Sequence, residues 1–135
     1  MKLITRDTDY AIRSMCFIIE RRKERIVVDD LVDELRMPKP FLRKILQVLN
    51  KEKLLRSYKG KGGGFVLAAD PVKISLLDMI EIFQGRLKLN QCTFKKQLCP
   101  NTKTCKVKKK IDGIQKYVKR QLKSVSLLSL VKKGK

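Results

Sequence analysis

Between residues 54 and 68 the chain sets two short strand-like runs, Leu54-Leu55-Arg56-Ser57 and Phe65-Val66-Leu67-Ala68, on either side of Tyr58-Lys59-Gly60-Lys61-Gly62-Gly63-Gly64. Glycines relax the backbone and reach positive φ without steric cost, so this stretch predicts a β-hairpin with a basic tip. What precedes the hairpin decides what it is for.

Upstream, Tyr10, Ala11, Met15, Ile18 and Ile19 recur at helical spacing and predict a helix over 7–23. Cys16 lies in it and reads as a small buried apolar residue. Asp29 or Asp30 caps or begins a short second helix through about Leu35, with Leu31, Val32 and Leu35 inward. Arg36-Met37-Pro38-Lys39-Pro40 breaks that helix, and Pro40 suits a first helical position. A third helix follows over about 40–52. Phe41, Leu42, Ile45, Leu46, Val48 and Leu49 form its apolar face, and Lys39, Arg43, Lys44, Gln47 and Lys51 lie on the other side. Two short helices joined by a tight turn, the second basic on its outer side, read as a helix-turn-helix; the hairpin after it reads as a wing.

Downstream, Ser75-Leu-Leu-Asp78 has a capping-box form that opens a helix to about Gln84, closed by Gly85. An irregular cysteine-bearing loop is expected over 86–104. The last helix is expected from about Cys105 to Leu130, with Val107, Ile111, Ile114, Val118, Leu122 and Val125 as one narrow seam on a Lys-rich rod. So narrow a stripe favours pairing with a second subunit over a helix lying back on its own domain. The organisation expected is a winged helix-turn-helix domain over 1–85, a loop over 86–104 and a dimerisation helix with a basic tail over 105–135. The fold class is mainly α with a small β-wing.

The formal net charge of +20 asks for a polyanionic partner, and nucleic acid fits best. Its distribution is more informative than its size. Residues 36–61 carry nine basic and one acidic side chain, while 1–35 and 62–85 are slightly acidic. This basic island covers the helix-turn-helix and the wing. The start, Met-Lys-Leu-Ile-Thr-Arg-Asp, has no apolar core of a secretory signal, and no apolar run is long enough to span a bilayer, so a cytoplasmic location without membrane contact is expected. No nucleophile–base pair and no phosphate-cradling Gly-Lys-Ser/Thr loop is evident, and an enzyme with a small-molecule substrate is not expected.

Cys92, Cys99 and Cys105 gather three soft ligands within fourteen residues of a chain that has no histidine. In a reducing compartment such a cluster points to metal or redox chemistry. Three thiolates suit an iron–sulfur cluster with one corner left to a weaker ligand. Zinc competes, but its structural sites are closed by four Cys or His, and no local fourth is present. Uncomplexed redox thiols, activated by the surrounding lysines, are the third reading.

Helix-turn-helix, glycine-rich wing, cysteine loop and long terminal helix, in that order, resemble the Rrf-two family of bacterial winged-helix regulators. The resemblance covers nearly the whole chain. It is carried by Ser57-Tyr-Lys-Gly-Lys-Gly-Gly-Gly-Phe-Val-Leu-Ala68 as the wing, by Phe41-Leu42 with Ile45-Leu46 as the recognition helix, and by the three cysteines as the ligand loop of cluster-binding members. Thr8-Asp9-Tyr10-Ala11-Ile12-Arg13 is similar to the opening of the first helix in the nitric-oxide-sensing branch. Where some relatives carry a histidine ligand after the third cysteine, this chain has Lys108.

The resemblance therefore implies Asp9, from the first helix of a partner subunit, as fourth ligand; Asp7, Asp112 and an exogenous group are its alternatives. It also favours a [4Fe–4S] over a [2Fe–2S] cluster. The function implied is a homodimeric transcriptional repressor that senses nitric oxide, redox state or iron. A cluster-free regulator of the same fold, controlled by thiol oxidation or a partner protein, is the alternative. Lys39, Pro40, Arg43, Lys44 and Gln47 are expected in the major groove, and Tyr58, Lys59 and Lys61 at the backbone or minor groove, of a roughly palindromic double-stranded operator.

Overall fold

Thr5 starts the first helix. Its backbone is extended and its side-chain oxygen accepts the Thr8 N–H, so α1 runs Arg6–Glu20 with Asp7 and Asp9 in the first turn, where carboxylates complement the helix dipole. The computed structural model describes residues 2–21, 25–60, 63–89 and 106–131. Helix α2 spans Val28–Leu35. Its cap position is Val27; Asp29 and Asp30 fall inside the first turn, and Asp30 Oδ2 accepts the Val27 N–H at 3.2 Å. Arg36 ends α2 at φ 53° and ψ 51°, donating its N–H to the Val32 carbonyl. That left-handed residue and Pro38 turn the chain into α3, Lys39–Lys51, which places Pro40 one position later than the sequence suggests. Leu42, Ile45, Leu46 and Leu49 of α3 are buried.

The wing forms as expected. Strands β1, Leu55–Tyr58, and β2, Gly64–Leu67, pair antiparallel with Leu55 opposite Leu67 and Tyr58 opposite Gly64. Ile26 adds a one-residue third strand, exchanging hydrogen bonds of 2.9 and 2.7 Å with Phe65. Gly64 is required there. Its φ is +136°, and a Cβ would lie 2.7 Å from the Ile26 carbonyl oxygen.

A 3-10 turn, Pro71–Lys73, leads to α4, Leu76–Gln84. The capping box is complete: the Ser75 hydroxyl accepts the Asp78 N–H at 3.1 Å, and Asp78 Oδ2 accepts the Ser75 N–H at 2.9 Å. Gly85, at φ +81°, closes the helix.

The terminal rod differs from expectation. It is two helices, α5 over Lys106–Lys123 and α6 over Leu127–Val131. Serines punctuate the break. Ser124 Oγ donates to the Gln121 carbonyl, and Ser126 Oγ accepts the Ser129 N–H. Between them the chain lies beside the start of α4, with the Leu76 N–H on the Val125 carbonyl and the Leu127 N–H on the Ile74 carbonyl. Helix α6 then packs on α1, and Leu127, with no exposed surface, joins Met15, Ile18, Leu42, Leu46 and Met79 in the main core. Each such side chain contributes about 1.5–3 kcal/mol by leaving water.

The apolar seam of α5 is divided. Val118 and Leu122 pack on a second, smaller core of Leu77, Ile80 and Leu87, together with Ile4, so this part lies back on its own domain. Val107, Ile114 and Tyr117 stay exposed at 67, 51 and 57%. Among the described residues, no helix is long and apolar enough to cross a membrane.

Candidate nucleic-acid interface and cysteine segment

The burial of one side of α3 fixes the other. With Leu42, Ile45, Leu46 and Leu49 inward, Arg43, Lys44 and Gln47 project from the exposed side, and Pro40 is exposed in the first turn. Arg43 and Gln47 stand four residues apart, one above the other on a common stripe. Lys39 is different. It is half-buried, and its Nζ lies 2.9 Å from Oδ1 of Asp29 at the start of α2. A shallow concavity of about 240 Å³ brings Lys39 and Arg43 of α3 together with Val27, Val28 and Asp29, and with Gly64 and Phe65 of the wing. Recognition helix and wing thus border one cleft.

On the wing, Tyr58 and Lys59 are exposed at the end of β1. Lys61 lies outside the described residues. The Tyr58 ring is engaged: the Arg25 guanidinium sits 4.2 Å from its centroid. The Ile26–Phe65 pairing brings Arg25 to this position. Arg25 is therefore a cation of the wing that sequence reasoning missed. The signal was weak, because pairing between residues so distant in the chain leaves no local pattern.

Cys92, Cys99 and Cys105 also lie outside the described residues. Among the described residues, no three Cys, Asp or Glu side chains gather as a metal site. Asp9 sits in the first turn of α1, about half exposed, with Oδ2 accepting from Arg13 Nε at 3.0 Å. Its side chain does not cap the helix, because Thr5 does. Among the other acids considered as ligands, Asp7 is exposed beside it in sequence and Asp112 is paired with Lys108 at 2.9 Å. Cys16 is partly rather than fully buried. Burial first, and the Glu20 carboxylate second, push its thiol above the ordinary range, which keeps it protonated.

Comparison with known proteins fits this arrangement. The Rrf2 family model, described as iron-dependent transcriptional regulator, matches residues 4–133. A putative HTH-type transcriptional regulator of Aquifex aeolicus is 27% identical over 124 residues, covering 90% of this chain and 86% of the relative. Among solved structures, CymR, the global cysteine regulator of B. subtilis, superposes with a TM-score of 0.78 at 20% identity over 97% of both chains. IscR of T. potens gives a TM-score of 0.73 at 20% identity, covering 97% of this chain and 86% of that one.

Proposed function

The chain belongs to the Rrf2 family of transcriptional regulators, and we propose that it is a homodimeric repressor whose grip on its operator is set by an iron–sulfur cluster on Cys92, Cys99 and Cys105. As a family member it is a DNA-binding winged-helix regulator and not an enzyme. The observation that carries the DNA part of the reading is the shared cleft: Lys39 and Arg43 of α3 line one side and Gly64 and Phe65 of the wing the other.

Arg43 is the candidate for guanine O6/N7, and Gln47 for adenine N6/N7, one turn further along the same stripe. Lys44 and Pro40 flank them. Lys39 enters through its ion pair with Asp29, so its charge acts on DNA in a tempered form. Tyr58 and Lys59, with Lys61 beyond them and Arg25 stacked on the tyrosine, serve the phosphate backbone or the minor groove. Val107, Ile114 and Tyr117 are the apolar side chains that a second subunit would cover.

For the sensing part, the chain offers three thiolates and, from the partner subunit, one carboxylate. The Asp9 carboxylate fits that role chemically: it is accessible rather than buried in its own domain, and Arg13 holds one oxygen and orients the other. When bound, a cluster of the [4Fe–4S] type supplies an iron corner with a weak ligand, open to nitric oxide, oxygen or iron loss. The residues of the chain do the rest. Asp9 ties the cysteine segment of one subunit to α1 of the other, and loss of that tie changes the spacing of the two recognition helices.

The test is direct. Anaerobically purified protein is assayed for visible absorption, iron and sulfide, and its operator affinity is compared before and after removal of iron. A coloured, iron-bearing protein with a different affinity in the two forms is the expected result. Colourless, iron-poor protein rejects the cluster, and equal affinities reject the switch.

A further inference from the structure

Hydrogen bonds from three residues converge on one side chain at the end of α4. Gln84 Oε1 accepts the Thr5 N–H at 2.8 Å and the Thr8 hydroxyl at 2.6 Å, while Gln84 Nε2 donates to the Leu3 carbonyl at 3.2 Å. Thr8 has no exposed surface. Its single hydroxyl proton goes to Gln84, so Thr5 Oγ1 donates to Thr8 Oγ1 at 3.1 Å and accepts the Thr8 N–H in turn. The amide orientation is fixed by this set, because a flipped amide would turn its NH₂ toward the Thr5 N–H and its oxygen toward the Leu3 carbonyl.

Gln84 stands at a junction. The next residue, Gly85, turns the chain out of α4 toward the cysteine segment. Leu87 is buried against Ile4 and α5, with its N–H on Glu81 Oε2, and the Leu89 N–H is held by Gln115 Oε1 at 2.9 Å. On the other side, Tyr10 lies just beyond Thr8 on α1, and its ring meets that of Phe41 edge-on, centroids 5.7 Å apart. Phe41 belongs to the first turn of α3. The start of α1, the end of α4 and the first turn of α3 border one open cleft of about 580 Å³, lined by Thr5, Arg6, Asp7, Phe41, Phe83 and Gln84.

We propose that Gln84 is a positioning residue that carries the state of the cysteine segment to the recognition helix, through Thr8 and Tyr10 to Phe41. A part-buried polar clasp centred on the buried Thr8 suits this task because its hydrogen bonds hold in one arrangement and are lost together when α4 and α1 shift. An apolar contact would slide. The inference rests on the cysteine segment being the switch.

Gln84→Leu removes both hydrogen-bonding functions at similar volume, and Thr8→Val removes one hydroxyl while keeping the shape. Full-length variants are purified anaerobically and their iron is measured. Operator Kd is determined before and after iron is stripped with a chelator, and amide exchange is followed at residues 41–46. In both variants the ratio of the two Kd values falls by about fivefold or more at unchanged iron content, within the usual span of allosteric coupling, and exchange at 41–46 accelerates. A merely structural role moves both Kd values together and leaves their ratio alone. With a wild type that switches, an unchanged ratio in both variants overturns the proposal. If the wild-type ratio is one, the cluster switch itself fails and the transmission through Gln84 falls with it.

Discussion

Asp29, in the first turn of α2, holds the ammonium of Lys39, in the first turn of the recognition helix, at 2.9 Å. Both side chains remain partly exposed, so the pair contributes only about 0–1 kcal/mol to stability. Its larger effect is electrostatic, because it cancels one positive charge at the mouth of the DNA cleft.

Asp29→Asn therefore leaves folding intact and tightens DNA binding. Titrations over a salt series are expected to give a lower Kd, with the slope of log K against log salt steeper by about 0.9, the value for one added phosphate contact. An unchanged slope would assign Lys39 to solvent.

Base-reading and backbone-anchoring residues separate by specificity. Arg43→Ala costs about 1–3 kcal/mol on the preferred operator and relaxes preference at one base pair. Lys59→Ala and Arg25→Ala weaken binding to all sequences alike and each reduce the salt slope by about one. Competition against a library of operator variants distinguishes the two patterns.

Leu127→Ala destabilises the domain by about 2–5 kcal/mol, since it empties a fully buried site between α6 and α1. Leu130→Ala, at a position 48% exposed, changes stability by less than about 0.5 kcal/mol. Denaturant unfolding of the two variants side by side checks the difference.

Cys16 resists modification at neutral pH. With Cys92, Cys99 and Cys105 replaced by serine, its alkylation rate rises only above the pH at which an ordinary thiol ionises, because burial and then Glu20 raise its pKa. The linked effect on stability has a definite sign. The unfolded chain ionises first, so this contribution is whole below the unfolded-state pKa and diminishes as pH climbs toward the raised folded value. Glu20→Gln removes the second cause and shifts the profile part of the way back. A rate profile centred on the ordinary thiol value would contradict the burial.

The helix-turn-helix, wing and α4 were legible because their signals are local: glycines at a hairpin tip, prolines at a turn, Ser75 and Asp78 three residues apart. The exposed stripe of α3 followed from periodicity alone. The division of the terminal rod was not read, although Ser124 and Ser126 mark it, because the heptad-like seam runs straight through them. The choice of Val27 over an aspartate at the α2 cap depends on where the Ile26–Phe65 pairing releases the chain. Arg25 on Tyr58, Asp29 on Lys39 and the Gln84 clasp all join residues distant in sequence, and composition carries no trace of such meetings.

The burial of Leu127 has a bearing on synthesis. The hydrophobic interior that supports the reading head includes a side chain made long after that head has left the ribosome. A nascent polypeptide halted before this leucine would expose the α1 surface it covers. Folding of the DNA-binding head and synthesis of α6 are thereby tied together, and a copy terminated before α6 becomes a target for proteolysis.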